Sequence, residues 1–195
     1  MIRGGVAIRA RIAAALVAAL ALVGCGPSIE MKPLSPNATR ALANLHVDPA
    51  AAAGMLNAYR ASHGLAAVRL DNRLTAMAQR QANAMAASHE LSHDVAGNFA
   101  SRVVASGIDT PRAAENIGGG FYSVEEAFRA WRESPAHNEN LLMPQATRFG
   151  IAIAKDGGSR YGVFWAMEVA AEPERASSGK ALALSRSDAP ASPKP

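Results

Sequence analysis

Residues 148–170 have the sequence RFGIAIAKDGGSRYGVFWAMEVA. Two largely apolar segments, 148–155 and 160–170, flank an Asp-Gly-Gly turn at 156–158, and this combination is typical of a β-hairpin. The chain upstream carries helix signals instead, so helices come first and an antiparallel hairpin comes last. This order predicts a layered α+β domain.

Five helices are predicted upstream of the hairpin. Asp48 followed by Pro49 marks a helix start, because Asp caps a helix well and Pro suits its first turn. Asp71 caps a second helix, whose apolar residues recur on one stripe. Shorter helices are predicted over 98–106, after Ser123 with its capping partner Glu126, and from Ser134-Pro135 onward. A short strand is predicted within 66–70.

The 195 residues suit one ordinary domain with tails at both ends. Residues 1–24 are predicted to be a leader, and residues 25–47, rich in Pro, Ser and Asn, are predicted to be a tether. The folded domain is expected over 48–171. Residues 172–195 mix Ser, Ala, Pro and charges, which predicts a disordered tail.

The leader has the layout of a secretory signal peptide. Arg3, Arg9 and Arg11 form a positive start, and the apolar run 12–23 is shorter than the roughly 20 residues that cross a bilayer. The segment Leu22-Val23-Gly24-Cys25 resembles a bacterial lipobox. This resemblance implies that cleavage occurs before Cys25, that its thiol takes a diacylglyceryl group, and that its new amine is open to acylation. The protein is therefore expected to be anchored to a membrane, facing the periplasm or the cell surface.

The charge distribution argues against a nucleic-acid partner. The formal net charge is +4, but three of the 20 basic residues lie in the leader, so the remainder carries 17 basic and 16 acidic side chains. No cluster of Lys and Arg is interleaved with aromatic residues there, as a phosphate-binding surface would require. We expect no nucleic-acid binding.

Three short motifs carry a family resemblance: LSH at 91–93, AENI at 114–117, and SPAHNENLL at 134–142. Their order and joint presence resemble the bacterial branch of the CAP superfamily, named for cysteine-rich secretory proteins, antigen 5 and pathogenesis-related protein 1. The resemblance also covers the hairpin strands and runs from about 55 to 169. Cys25 is the only cysteine, which excludes the intrachain disulfides usual in eukaryotic members.

The resemblance implies a three-layer α-β-α sandwich with a C-terminal antiparallel hairpin and a central cleft. The family's cleft holds two histidines and two acidic residues. By position, the histidines are His93 and His137 and the first acid is Glu115. Ser134 occupies the position of the second acid, so the set of four is incomplete here.

Two interpretations of this cleft remain open. Two imidazoles converging on one point can bind Zn²⁺ or another divalent metal through neutral nitrogen, with Glu115 orienting a histidine or a bound water. Alternatively, His93, Glu115 and His137 form a hydrogen-bonded cluster that ties three segments together. The family resemblance implies a module that binds a lipid, a sterol or a protein partner. The alternatives are a metal-dependent hydrolase of peptide or cell-wall substrates, with Glu115 as its candidate catalytic residue, and a structural envelope component.

A competing motif overlaps the first histidine. Residues 89–93, HELSH, fit the H-E-x-x-H pattern of zinc metallopeptidases, in which both histidines face the metal from one side of a helix. The apolar stripe of the second helix ends near Met85, so a helix that continues through His93 is not expected. His89 is then predicted to be a solvated residue at the helix end.

Overall fold

A four-stranded mixed sheet forms the centre of the domain in the computed structural model, which describes residues 34–173. The strands are β1 (Arg69–Leu70), β2 (Ala113–Gly119), β3 (Ala146–Asp156) and β4 (Gly162–Ala171). Their order across the sheet is β1-β3-β4-β2, with β1 parallel to β3 and both β2 and β3 antiparallel to β4. The predicted hairpin is confirmed, and β2 lies at an edge of the sheet.

Between residues 34 and 173, six helices cover the two faces of the sheet. They are α1 (Pro36–Asn44), α2 (Pro49–Ser62), α3 (Asn72–Ser88), α4 (Phe99–Ala105), α5 (Val124–Glu133) and α6 (Pro135–Leu141). The apolar side chains of α1, α2, α5 and α6 share one core with β3 and β4. Those of α3 and α4 pack on the opposite face. The predicted three-layer α-β-α arrangement is confirmed.

The close approach of α3 to β3 explains a glycine in the middle of a strand. A Cβ on Gly150 would lie 2.3 Å from the backbone nitrogen of Thr75 and 2.4 Å from the carbonyl carbon of Leu74. Only a residue without a side chain lets the helix backbone come so near to the sheet. This contact fixes the start of α3, and through it the direction in which the helix carries the chain toward the histidine segment.

The predicted helix caps are present, with one difference in the capping box. Asp48 and Asp71 each accept a backbone N–H two residues ahead, at 2.8 Å. Ser123 Oγ accepts the N–H of Glu126 at 3.1 Å. The Glu126 carboxylate accepts the N–H of Tyr122 at 2.7 Å, one residue before the cap. The start of α5 is thus held by two reciprocal bonds, as a capping box requires.

One sequence prediction was wrong in part. The predicted tether, residues 25–47, contains α1, which begins after its cap Ser35; Leu42 of this helix and Leu45 after it are buried. Burial on the sheet stabilises a helix too short to show a clear period. The glycine run at 118–120 largely continues β2. Its glycines are required because aromatic rings from Phe121 and Tyr161 occupy the space where side chains at 118 and 119 would lie.

The leader, Cys25 and the tail beyond residue 173 lie outside the described residues. Between residues 34 and 173, no helix has both the length and the apolar character needed to cross a bilayer.

Candidate functional site

The edge strand β2 presents neighbouring residues to the two helical layers. The side chain of Glu115 meets α4 and the loop before it, whereas Asn116 bonds to α6 on the other side. This follows from the alternation of side chains along a strand. Because β2 has a strand neighbour on one side only, groups from both helical layers can meet around its free edge.

A buried ion pair anchors the site. Arg102 Nη1 donates to Glu115 Oε2 at 2.7 Å, and Arg102 Nη2 donates to Glu115 Oε1 at 2.8 Å. The two side chains are only 7% and 2% exposed. The remaining donors of Arg102 reach the backbone carbonyls of His93 and Gly97 at 3.0 and 2.9 Å. One guanidinium therefore ties the histidine loop, α4 and β2 together.

His93 sits on this ion pair and faces outward. Its Nδ1 lies 2.7 Å from Glu115 Oε1, and its side chain is 50% exposed. Burial of the Glu115 carboxyl opposes its ionisation, but hydrogen bonds from Arg102 and His93 outweigh this effect and lower its pKa. A carboxylate that accepts the Nδ1 proton leaves Nε2 of a neutral imidazole as the free acceptor. In this neutral form, His93 offers a nitrogen lone pair to an external group.

His137 approaches from the opposite layer. Asn116 Nδ2 donates to the backbone carbonyl of His137 at 3.0 Å, and Asn140 Nδ2 donates to Asn116 Oδ1 at 2.8 Å and to the Glu115 carbonyl at 3.1 Å. Burial, followed by the positive charge that His93 carries when protonated, lowers the pKa of His137. The structure joins His93 directly to Glu115 and ties the backbone of His137 to β2 through Asn116. A shared site for His93, Glu115 and His137 stays a prediction.

Ser134 ends α5 and precedes α6, but its side chain makes no capping bond. It supplies no carboxylate to the site. A second carboxylate comes instead from Glu168, which lies directly opposite Glu115 in the β2–β4 register and 3.7 Å from Arg102 Nη1. Glu168 is fully buried, and neither of its oxygens has a hydrogen-bond partner among the described residues. Burial and the negative charge of Glu115 raise its pKa well above the ordinary value, which favours the neutral acid.

The donor set was tested against the zinc site that the family resemblance implies. Catalytic zinc takes three protein ligands and an open position. Within residues 34–173, no three His, Asp or Glu side chains converge as metal ligands. Glu115 is not free to become the third ligand, since both of its oxygens accept hydrogen bonds. The residues present do not fit a catalytic zinc centre and offer at most two imidazole nitrogens.

The metallopeptidase motif is not assembled. Helix α3 ends at Ser88, and His89 adopts the left-handed conformation with φ 55°. Its Nδ1 lies 2.5 Å from Asp156 Oδ2 in the hairpin turn. His89 and His93 therefore do not share one face of a helix, which the H-E-x-x-H mechanism requires.

A groove of about 540 Å³ lies beside the site. It is lined by the start of β2 and the residue before it, by α6 and by the segment after α6, including Ala114 and Asn138. Ala114 and Asn138 adjoin Glu115 and His137 in the chain, but neither histidine lines the groove.

Sequence reasoning missed three residues that build this site. Arg102 lies in the otherwise apolar helix FASRVVA, and Glu168 lies in the apolar strand GVFWAMEVAA. A lone charge within an apolar element signals a buried partner, because an unpaired buried charge is costly. Asn140, within SPAHNENLL, carries no comparable signal.

Comparison with known proteins places this architecture in a family. The fold defines a layered α-β-α domain with a four-stranded mixed sheet. The model of the CAP family, "Cysteine-rich secretory protein family", matches residues 53–169. The chain belongs to the CAP family.

Three similar proteins are bacterial, and the chain spans less than half the length of two of them. An uncharacterized protein of Bacillus subtilis strain 168, YkwD, is 29% identical over 105 residues, which cover 53% of this chain and 41% of that protein. An extracellular protein containing an SCP domain from Bacillus anthracis has a TM-score of 0.56 at 21% identity, over 72% of this chain and 45% of the other. An outer surface protein of Borrelia burgdorferi has a TM-score of 0.56 at 14% identity, over 73% and 98%. The two structural likenesses show the fold alone.

Proposed function

We propose that this chain is a CAP lipoprotein that lies outside the cytoplasm, anchored by a lipid on Cys25. We further propose that the site around His93 and His137 binds a ligand or partner, such as a lipid, a sterol or a protein. A groove of about 540 Å³ lined by Asn138, the chain neighbour of His137, supports this proposal.

One observation carries the binding proposal. The buried Arg102–Glu115 pair holds an exposed histidine by its Nδ1. A buried ion pair is weak evidence for stability, because desolvation offsets much of its attraction. The Arg102–Glu115 pair also fixes the ring of His93, a side chain that faces solvent. A pair with a purely structural role need not do so. Preorganised polar groups of this kind lower the entropy cost of binding.

The location rests on the leader and on the names of similar proteins. Residues 1–25 combine a positive start, an apolar run and a lipobox-like end at the only cysteine. Two proteins of similar fold are described as extracellular or as an outer surface protein. Both observations support a position outside the cytoplasm, in the periplasm or on the cell surface.

The geometry favours binding over hydrolysis. A general base must reach the proton that it removes, whereas the Glu115 carboxylate is buried and its oxygens are occupied by Arg102 and His93. Ser134 supplies no second carboxylate. We therefore assign no catalytic step to these residues.

The anchor is tested by replacing the cysteine in the full chain. In cells that process lipoproteins, the wild type is expected in the detergent phase after phase separation, and Cys25→Ser is expected in the aqueous phase. Ser keeps the size of the side chain but cannot form the thioether. An unchanged distribution of Cys25→Ser would refute lipidation without touching the binding proposal.

Weak divalent-metal binding is the second expectation for the site. We expect Zn²⁺ to bind through His93 and His137, with water completing the coordination. Removing either imidazole, as His93→Ala or His137→Ala, should weaken Zn²⁺ binding by about tenfold or more, as loss of a metal-site group commonly does. The measurement is titration of Zn²⁺ into the full chain by calorimetry.

His89→Ala is the matched control, because His89 is an exposed histidine that pairs with Asp156. It should leave the affinity unchanged. Equal affinity in all three variants and the wild type would place the metal elsewhere, and loss with His89→Ala alone would revive the metallopeptidase interpretation.

A further inference from the structure

A second polar groove lies on the α3 side of the sheet, at its β1 edge. It encloses about 320 Å³ and is lined by Arg69, Leu70, Asp71, Asn72, Arg73 and Arg148. We call it the Arg148 groove. Three of its six lining residues are arginines.

The sheet brings two of these arginines side by side. Arg69 of β1 is the register partner of Arg148 of β3, so both side chains leave the sheet on the same face. Arg73 joins them from the first turn of α3, where its Nη1 donates to the Gly107 carbonyl at 2.6 Å. The three guanidinium groups come from three different elements.

Arg148 is buried and incompletely bonded. Its side chain is 8% exposed, and Nη2 donates to the carbonyls of Asp109 and Ala171 at 2.6 Å. Nη1 lies 3.6 Å from Asp71 Oδ2. The Nε–H is buried and has no hydrogen-bond partner among the described residues. A buried donor without an acceptor is costly, so this nitrogen indicates a place for an acceptor from outside.

A carboxylate of the chain already lies close to two arginines of the groove. Glu172 Oε1 pairs with Arg69 Nη2 and lies 3.7 Å from Arg148 Nε, which is too far for a hydrogen bond. Glu172 follows the end of β4, and its side chain is 44% exposed. It is therefore positioned as an anion that can leave the arginines without unfolding the sheet.

From these observations we infer that the Arg148 groove is a binding site for a phosphate group, and that Glu172 competes for it from within the chain. With Glu172 displaced, three arginines face the single carboxylate of Asp71, which leaves two positive charges for the incoming anion. Asp71 itself caps α3 through the N–H groups of Arg73 and Leu74 and stays in place. The guanidinium fork suits phosphate oxygens.

The test is calorimetric titration of inorganic phosphate into the full chain, with chloride replacing it at matched ionic strength in the reference. Arg69→Ala should weaken binding by about tenfold, the loss expected for one charge-assisted contact. Glu172→Gln should tighten binding several-fold, because the internal competitor loses its charge. Arg69 is exposed, so its replacement does not threaten folding.

Arg80→Ala is the matched control. Arg80 is an exposed arginine of α3, the helix that carries Arg73. This substitution should leave the affinity unchanged. The assignment would be overturned if Arg69→Ala and Glu172→Gln both left the phosphate affinity unchanged, or if Glu172→Gln lowered it. It would also be overturned if the chain bound neither phosphate in this titration nor the lipid vesicles described next.

The source of the phosphate is distinguished with vesicles. The Cys25→Ser variant of the full chain is used, so that the proposed lipid anchor does not contribute. It is mixed with phosphatidylglycerol vesicles and, in parallel, with phosphatidylcholine vesicles. If the chain binds phosphatidylglycerol vesicles, and both inorganic phosphate and Arg69→Ala abolish this binding, the groove is assigned to a lipid headgroup. Phosphate binding in solution without vesicle binding assigns it to a free phosphate compound. Vesicle binding that Arg69→Ala leaves intact would contradict the site.

Discussion

Arg102→Ala is expected to lower the free energy of unfolding by about 3–5 kcal/mol, the usual cost of removing one partner from a buried ion pair. The substitution leaves the buried Glu115 carboxylate without its bidentate donor, next to a second buried carboxyl on Glu168. It also frees the carbonyls of His93 and Gly97. Chemical denaturation of the full chain at neutral pH measures the change.

Glu168→Gln distinguishes the stability contribution of Glu168 from that of the Arg102–Glu115 ion pair. The raised pKa of Glu168 means that this residue costs stability as the pH rises above the ordinary value of a Glu carboxyl, because the folded state holds its proton more tightly than the unfolded state. Glu168→Gln removes that cost, so its stability relative to the wild type should increase from pH 4 to pH 7. It should also recover part of the loss in Arg102→Ala. A relative stability that decreases with pH would contradict the assignment of Glu168 as a buried acid.

Arg60→Leu is expected to lower the free energy of unfolding by at least about 3 kcal/mol, because the fully buried guanidinium serves as a donor to several backbone carbonyls. Its nitrogens reach the carbonyls of Ala66, Leu141, Met143 and Ala146 at 2.9 to 3.2 Å. These contacts join the end of α2 to the loop between α6 and β3. Leucine fills part of the volume but leaves the acceptors unpaired. Denaturation curves measure this loss as well.

Arg60→Lys should recover little of that stability, since one ammonium group cannot reproduce the fork that serves separate carbonyls. Burial lowers the pKa of Arg60, and no acidic group among the described residues pairs with it. Arg129→Ala, which removes an exposed arginine of α5, should change stability by no more than about 0.5 kcal/mol. Comparable losses at Arg60 and Arg129 would show that the carbonyl contacts contribute little.

The layered fold was predictable because its signals are local. Each of Asp48, Asp71 and Ser123 caps a helix within three residues of its own position, and the Asp-Gly-Gly turn joins two apolar strands that pair with each other. Helix α1 carries a comparable cap, Ser35 followed by Pro36, but its short sequence shows no clear apolar stripe beside that cap. Its stability comes from burying Leu42 and Leu45 on the rest of the domain, which a short segment does not reveal.

The family resemblance was enough to predict His93, His137 and Glu115 as site residues. It did not predict Arg102 and Glu168, which lie around Glu115. Arg102 and Glu115 are 13 residues apart in the chain, and Glu168 meets them only through the register of β2 with β4. A one-residue change in that register would turn Glu168 to the other face of the sheet. Contacts that depend on strand register appear only when the sheet is assembled.

The most direct test of the account is the pKa of His137, measured by NMR titration of the wild type and of His93→Ala. If the two rings share one site, as proposed, part of the lowered pKa of His137 comes from the charge of protonated His93. His93→Ala should therefore raise the pKa of His137 toward its ordinary value, while His46→Ala, at an exposed histidine of another segment, should leave it unchanged. A pKa of His137 that is the same in His93→Ala and the wild type would show that the two histidines do not share a site.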